Sequence, residues 1–269
     1  MNGVALTDPL FFLPFLTGLL FAVALPVIGM YLRLREEWLA ALSFAQLAAA
    51  GSLAAAIVDL PVVGGGLVVS CLAAAFKSWL SRGGNNGYAI LMIAGWGTAV
   101  LMLANVPAAD HVGHALLDGQ LYFTGLSNLW SAGVFTVAGG IAIVWLNKPL
   151  LLERVFPDFY RASGQNARHY HLLFDFLVAA GLALATASIG VMAAFALVFV
   201  PTMVAYQWGR NWRLSLGIAV GVSVVTYVAA FETALVWDQP FGPVLVVAMT
   251  GVAVLAWVGR QALNRSRRA

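Results

Sequence analysis

The residues able to do chemistry fall into three groups. The first is the run Asp110-His111-Val112-Gly113-His114-Ala115-Leu116-Leu117-Asp118. Wound as an α-helix, it places His111, His114 and Asp118 at i, i+3 and i+7 on one face. Imidazole and carboxylate ligands suit zinc or manganese. Gly113 weakens such a helix, and two histidines in a polar loop are commonplace. A solvated loop and a transient metal contact both fit the run. The second group, Ser43, Gln46, Asp175 and Glu232, lies at or within long apolar runs. An ionisable group there is costly and is a candidate for a substrate path. The bland alternative is placement at an interface or pairing with a neighbouring helix, and Asp175, soon after His169-Tyr170-His171, is near enough to a run's end for either. The third group is Pro157-Asp158-Phe159-Tyr160-Arg161-Ala162-Ser163-Gly164. It reads as a short helix: Pro157 suits the first turn, Asp158 the positive dipole end, and Gly164 the C-terminal cap. Phe159 and Tyr160 between basic residues dock on a soluble partner or rest on a membrane surface; spacing does not choose between these. There is no His-Glu-x-x-His and no Gly-x-Ser-x-Gly. Gly83-Gly84-Asn85-Asn86-Gly87 lacks the lysine of a phosphate-binding loop, and the single Cys71 excludes an internal disulfide. No catalytic residue is assigned.

The elements that position these groups follow from composition. Apolar and aromatic residues make up 62% of the 269, and charged residues only 9%. Soluble domains run at about 45–50% and about 25%, so a soluble enzyme, a nucleic-acid binder and a disordered linker are excluded. Residues 1–10 hold no lysine or arginine, and Phe11 to Leu32 is too long for a signal segment. It matches a bilayer span of roughly 20 residues, and we expect it to be retained as the first transmembrane helix. Further spans are expected at 38–58, 60–80, 87–106, 129–147, 170–187, 190–208, 214–234 and 241–259. The apolar runs are continuous, without the alternation of a membrane barrel. A turn at Ser188-Ile189-Gly190 divides a stretch too long for one crossing.

Nine spans with the N-terminus outside put all fourteen basic residues in inside segments, while Asp8, Asp59, Asp110, Asp118 and Asp238 fall outside. This is the positive-inside rule without an exception, and shifting the span count by one scatters the basic residues. Trp38, Trp79, Trp130, Trp208, Trp212 and Trp237 fall at span ends, where indoles prefer to sit, whereas the N–H of mid-span Trp96 needs a partner. Small residues such as Gly51, Gly64-Gly65-Gly66 and Gly139-Gly140 allow close helix approach. The expectation is an all-α polytopic bundle of about nine helices, a single transmembrane domain over 1–269. Its longest inside loop is at about 148–169, and its C-terminus is cytoplasmic.

Four segments carry a family resemblance. Pro157-Asp158-x-x-x-Ala162-x-x-Gly164 resembles the ATPase-contacting loop in permease subunits of the ABC importers for zinc and manganese. Phe195 to Ala205, with Pro201, resembles a late span of that family, and Trp237-Asp238-Gln239-Pro240-Phe241-Gly242-Pro243 its turn before the last span. Leu116 to Leu121 resembles its short outer segment. The resemblance implies a multi-pass subunit of the bacterial inner membrane that hydrolyses nothing itself. It implies cytoplasmic ATPase subunits that carry ATP-Mg and bind Pro157, Asp158, Phe159, Tyr160, Arg161, Ala162 and Gly164. It also implies a periplasmic or lipid-anchored binding protein and pairing as a homodimer. Asp238, Pro240, Gly242 and Pro201 become structural motif positions, and Ser43, Gln46 and Glu232 substrate-path positions. The family's second span usually carries Asp-x-x-x-His; registered on Gly51, the matching positions here are Leu42 and Gln46. A bare divalent ion then needs other ligands, such as Glu232 or the outer histidines; a chelated metal brings its own. Two other classes remain open on the residues: a proton-coupled carrier using Asp175 and Glu232, and an assembly scaffold.

Overall fold

The computed structural model describes residues 9–80, 84–107, 110–119, 121–156 and 168–266. Its long helices are α1 (Pro9–Leu34), α2 (Leu39–Ile57), α3 (Val62–Leu80), α4 (Gly84–Asn105) and α5 (Leu126–Val155), followed by α6 (Arg168–Ile189), α7 (Val191–Trp208), α8 (Trp212–Val236) and α9 (Phe241–Ser266). There is no strand among the described residues. Eight of these helices are long and apolar enough to cross a membrane. The ninth expected span is α3, which at 19 residues equals α2 in length; Val62–Lys77 is its apolar run among the described residues. Lys77, in the last turn of α3, is drawn into a charge cluster described below.

Backbone hydrogen bonding does not stop where hydropathy does, so several helices outrun their apolar stretch. Helix α5 continues through Pro149 to Val155, and α9 runs to Ser266. Between α4 and α5 the chain makes three short turns: an α-helical one at Asp110–His114, a π-helical one at Ala115–Gly119 and a 3-10 one at Leu121–Phe123.

The break at Gly190 is where the sequence places it. Gly190 has φ +87° and ψ 162°, a region in effect reserved for glycine. A Cβ there would meet Gly119 Cα at 2.8 Å, because the turns between α4 and α5 pack on this corner. The chain reverses there. Phe174 near the start of α6 lies against Tyr31, and Tyr206 near the end of α7 lies under Arg33, two residues further along α1. Both ends of the α6–α7 hairpin thus meet the same end of α1.

Helices α2, α6 and α7 are the most enclosed, whereas α4, α5 and α9 present wide apolar outer faces, with Ile90, Ile93, Val137, Ile141 and Val247 exposed. Outward apolar faces are what a bundle shows to lipid. Trp96 belongs to that outer face at 56% exposure, so its expected partner is not within the packed interior. Close packing rests on small residues: a Cβ on Gly51 of α2 would meet Val69 Cβ of α3 at 2.7 Å. Away from the basic end, Phe15, Tyr227, Phe231 and Phe241 join α1, α8 and α9 in one aromatic cluster. Tyr227 Oη donates to the Phe15 carbonyl at 2.9 Å.

Candidate functional site

The basic ends of the helices converge. Asn85 Nδ2 at the start of α4 donates to the Glu36 carbonyl at 2.7 Å, and Arg154 at the end of α5 pairs with the Glu36 carboxylate at 2.5 Å. Tyr31 Oη donates to Asn147 Oδ1 of α5 at 2.8 Å, and its ring packs edge-on against Trp212 of α8. Arg260 of α9 donates to the Gln207 carbonyl of α7. The one-sided distribution of basic residues in the sequence is therefore one physical end of the bundle, wherever these residues are described.

At that end lies a partly buried ionic quartet centred on the buried Asp175. Arg35, just past α1, holds Asp175 of α6 at 2.8 Å and Glu37 at 2.6 Å. Lys77 of α3 holds the same two carboxylates, Glu37 at 2.9 Å and Asp175 at 3.2 Å. The Asp175 side chain is 2% exposed and that of Glu37 16%. Two positive and two negative charges cancel, which is the condition for keeping them out of water. Aromatic faces complete the shell: Phe174 lies 5.2 Å from the Arg35 guanidinium, and Tyr88 of α4 lies 4.9 Å from the Lys77 ammonium. Burial opposes the Arg35 charge, but Asp175 and Glu37 outweigh it and hold the guanidinium protonated above its ordinary value. Of these residues the sequence singles out only Asp175. The available signal was the rule that a carboxylate inside an apolar helix needs a cation, with Lys77 and Arg35 near span ends as candidates.

The other expected site residues separate. Ser43 is fully buried on α2, its hydroxyl between the carbonyls of Leu39, at 2.9 Å, and Tyr88. Gln46, one turn on, is 3% exposed, and its Oε1 accepts no hydrogen bond from the described residues. It backs onto α4, where a Cβ on Gly95 would meet Gln46 Cβ at 3.2 Å. Leu42 packs in the apolar cluster between the same helices. Glu232 is exposed on α8, one turn before its end, apart from Ser43 and Gln46.

His114 is exposed in the turns between α4 and α5, and the side chains of His111 and Asp118 lie outside the described ones. The backbone changes from α to π at Ala115, so the i, i+3, i+7 face of a continuous α-helix does not extend to Asp118. Among the described residues no group of three or more His, Cys, Asp or Glu is placed to hold a metal ion. The coupling residues Pro157, Asp158, Phe159, Tyr160, Arg161, Ala162 and Gly164 lie outside the described residues. Their flanks are held: His171 Nε2 lies 2.6 Å from the Glu153 carboxylate, so the end of α5 is tied to the start of α6. Pro201 is buried inside α7. The Asp238 turn has φ +50°, Pro240 is exposed, and Gly242 packs with its Cα close to Gly119. Near it Tyr122 is half-buried; burial and then the Asp238 charge push its phenol up to about 12.

Two solved structures share this architecture. PsaBC from Streptococcus pneumoniae, solved in complex with Fab, superposes with a TM-score of 0.81 over 94% of this chain and 93% of its own, at 15% identity. A putative metal-chelate type ABC transporter in an inward-facing conformation superposes with a TM-score of 0.69 over 90% of this chain and 84% of its own, at 16% identity. At such identities the likeness is one of fold. The sequence itself decides the family, because the ABC 3 transport family's model matches residues 8–260. The chain, a helical multi-pass membrane protein with its basic helix ends gathered at one end, belongs to the ABC 3 transport family.

Proposed function

We propose that this protein is the membrane-spanning subunit of an ATP-driven importer for a divalent transition metal, zinc or manganese, in a bacterial inner membrane. The observation that carries the reading is the transport-family match over residues 8–260. Two copies form the pore. A binding protein delivers cargo at the end bearing Asp59 and Asp238, and cytoplasmic ATPases act at the end bearing Arg33, Arg35 and Lys77. The Pro157–Gly164 helix, with Phe159 and Tyr160 as anchors, receives the ATPase. The geometry favours this over the proton-coupled carrier. Asp175, the buried acid such a carrier would use, is neutralised inside the fold by Arg35 and Lys77, and Glu232 stands on the outer surface of the chain.

A second reading, that the metal crosses inside a chelate, is supported by the neutrality of α2. Ser43, Gln46 and Leu42 offer no charge at the level where a bare ion would need one. The solved relative named as a putative metal-chelate type transporter is in keeping with it.

Partner capture tests the importer reading. The native protein, purified in mild detergent, is expected to bring down an ATPase. Truncating a well-packed aromatic anchor costs about 2 kcal/mol or more, so Phe159→Ala with Tyr160→Ala should lose the ATPase while staying in the membrane. Equal recovery of the ATPase by this double variant would count against the coupling role.

A further inference from the structure

We propose that Arg35, Glu37, Lys77 and Asp175 form a rigid joint that carries movement at the start of α6 to α2, the helix bearing Ser43 and Gln46. The proposal rests on the importer reading above and names the positioning residues that link its driven end to its interior.

Helix α6 begins at Arg168, directly after the segment to which that reading assigns ATPase contact. Asp175 lies seven residues along it, about two turns or ~10 Å from its start. Any displacement of the first turns of α6 moves this carboxylate. Asp175 is not free to slide past its neighbours: Arg35 holds Oδ1 at 2.8 Å, and Lys77 holds Oδ2 at 3.2 Å. Each oxygen is thus anchored to a different element, the end of α1 and α3. Both cations are in turn shared with Glu37.

Glu37 stands two residues before α2. Its neighbour Glu36 has φ +61°, and the N–H of Glu37 donates to the Leu32 carbonyl at 2.9 Å, so the connection from α1 to α2 is a tight turn with little slack. A pull on Glu37 is therefore a pull on the first turn of α2. The first turns of α2 are coupled onward: Ser43 bonds the Tyr88 carbonyl of α4, while the Tyr88 ring packs on Lys77. The path Asp175, Arg35 and Lys77, Glu37, α2 is continuous and largely shielded from solvent, and it avoids both α9 and the turns between α4 and α5.

The joint is a rigid body rather than a gate. Separating its members would expose two charges of each sign inside an apolar bundle, whereas moving them together keeps every charge compensated. The alternative role, holding the fold together and nothing more, predicts a different outcome when the charges are removed in balance.

The experiment uses the complete transporter, with its ATPase and binding protein, in proteoliposomes. Uptake of radiolabelled zinc or manganese and ATP hydrolysis are measured together. Asp175→Asn with Lys77→Met removes one charge of each sign and leaves Arg35 with Glu37. The expected result is at least a tenfold fall in metal carried per ATP hydrolysed, with normal membrane assembly, while Asp175→Glu keeps the wild-type ratio. A purely structural role changes yield and not this ratio. If the double variant fails to assemble, Lys77→Gln, which leaves Arg35 facing both carboxylates, gives the same readout with the same expected fall. An unchanged ratio in the assembled variant, or an equal fall in Asp175→Glu, overturns the proposal. Absence of ATP-driven uptake in the wild type overturns the importer reading and the joint with it; a fully coupled double variant overturns the joint alone.

Discussion

A carboxylate inside an apolar bundle must be compensated by the fold, and Asp175 meets that requirement with two cations from two helices. Asp175→Asn leaves Arg35 and Lys77 sharing one acid. Breaking a buried pair in this way costs about 3–5 kcal/mol, so thermal unfolding in detergent should show a clear loss of stability. Adding Lys77→Met rebalances the charge and should recover at least half of the loss; single and double variants as stable as the wild type would refute the electrostatic account. With Leu42 and Gln46 on α2, a bare ion has to find ligands among His111, His114, Asp118 and Glu232. His111→Ala, His114→Ala and Glu232→Gln combined should lower free-ion uptake at least tenfold, since ~1.4 kcal/mol corresponds to that factor. Near-normal transport in this triple variant would favour the chelate. The quartet was largely illegible in the sequence because three of its four pairings span 40, 98 and 140 positions. No local pattern marks a contact of that range; only the cost of an isolated Asp175 announces that partners exist.

The elements were far more legible. Each apolar run of about 20 residues records the thickness of the lipid it must cross, and the expected 38–58, 87–106 and 190–208 differ from α2, α4 and α7 by three residues or fewer at each end. Hydropathy misses the ends of α5 and α9, where backbone hydrogen bonds continue past the apolar stretch. It also misses the turns between α4 and α5, whose π-helical backbone at Ala115–Gly119 packs against Gly190 and Gly242. The break at Gly190 follows from the length of the apolar stretch, with support from charge alternation, rather than from the residue's own chemistry, yet its φ of +87° restricts the position to glycine. Gly190→Ala combines a strained backbone with a Cβ 2.8 Å from Gly119 Cα, a loss of about 1–3 kcal/mol for the strain alone. Gly217→Ala, where a Cβ meets nothing within 4 Å, should be neutral or slightly stabilising. Comparable unfolding temperatures for the two variants would show that the α6–α7 corner does not need its glycine.

For the whole molecule, the charge asymmetry of the sequence and the geometry of the bundle say the same thing. Arg33, Arg35, Lys77, Arg154 and Arg260 gather at one end, and Asp59 and Asp238 sit on turns between other helix ends. Family membership adds transport to this polarity. Under the proposed function, ATP acting at the basic end drives a metal inward from the opposite end. Proteoliposomes containing this protein, its ATPase and its binding protein measure that claim directly, with radiolabelled metal and the binding protein on one face and ATP supplied to one face at a time. The account predicts uptake only when ATP is on the face bearing the basic loops and the binding protein is on the other, with no dependence on an imposed proton gradient. Uptake driven by a proton gradient without ATP, or ATP-driven uptake when both are on the same face, would contradict it.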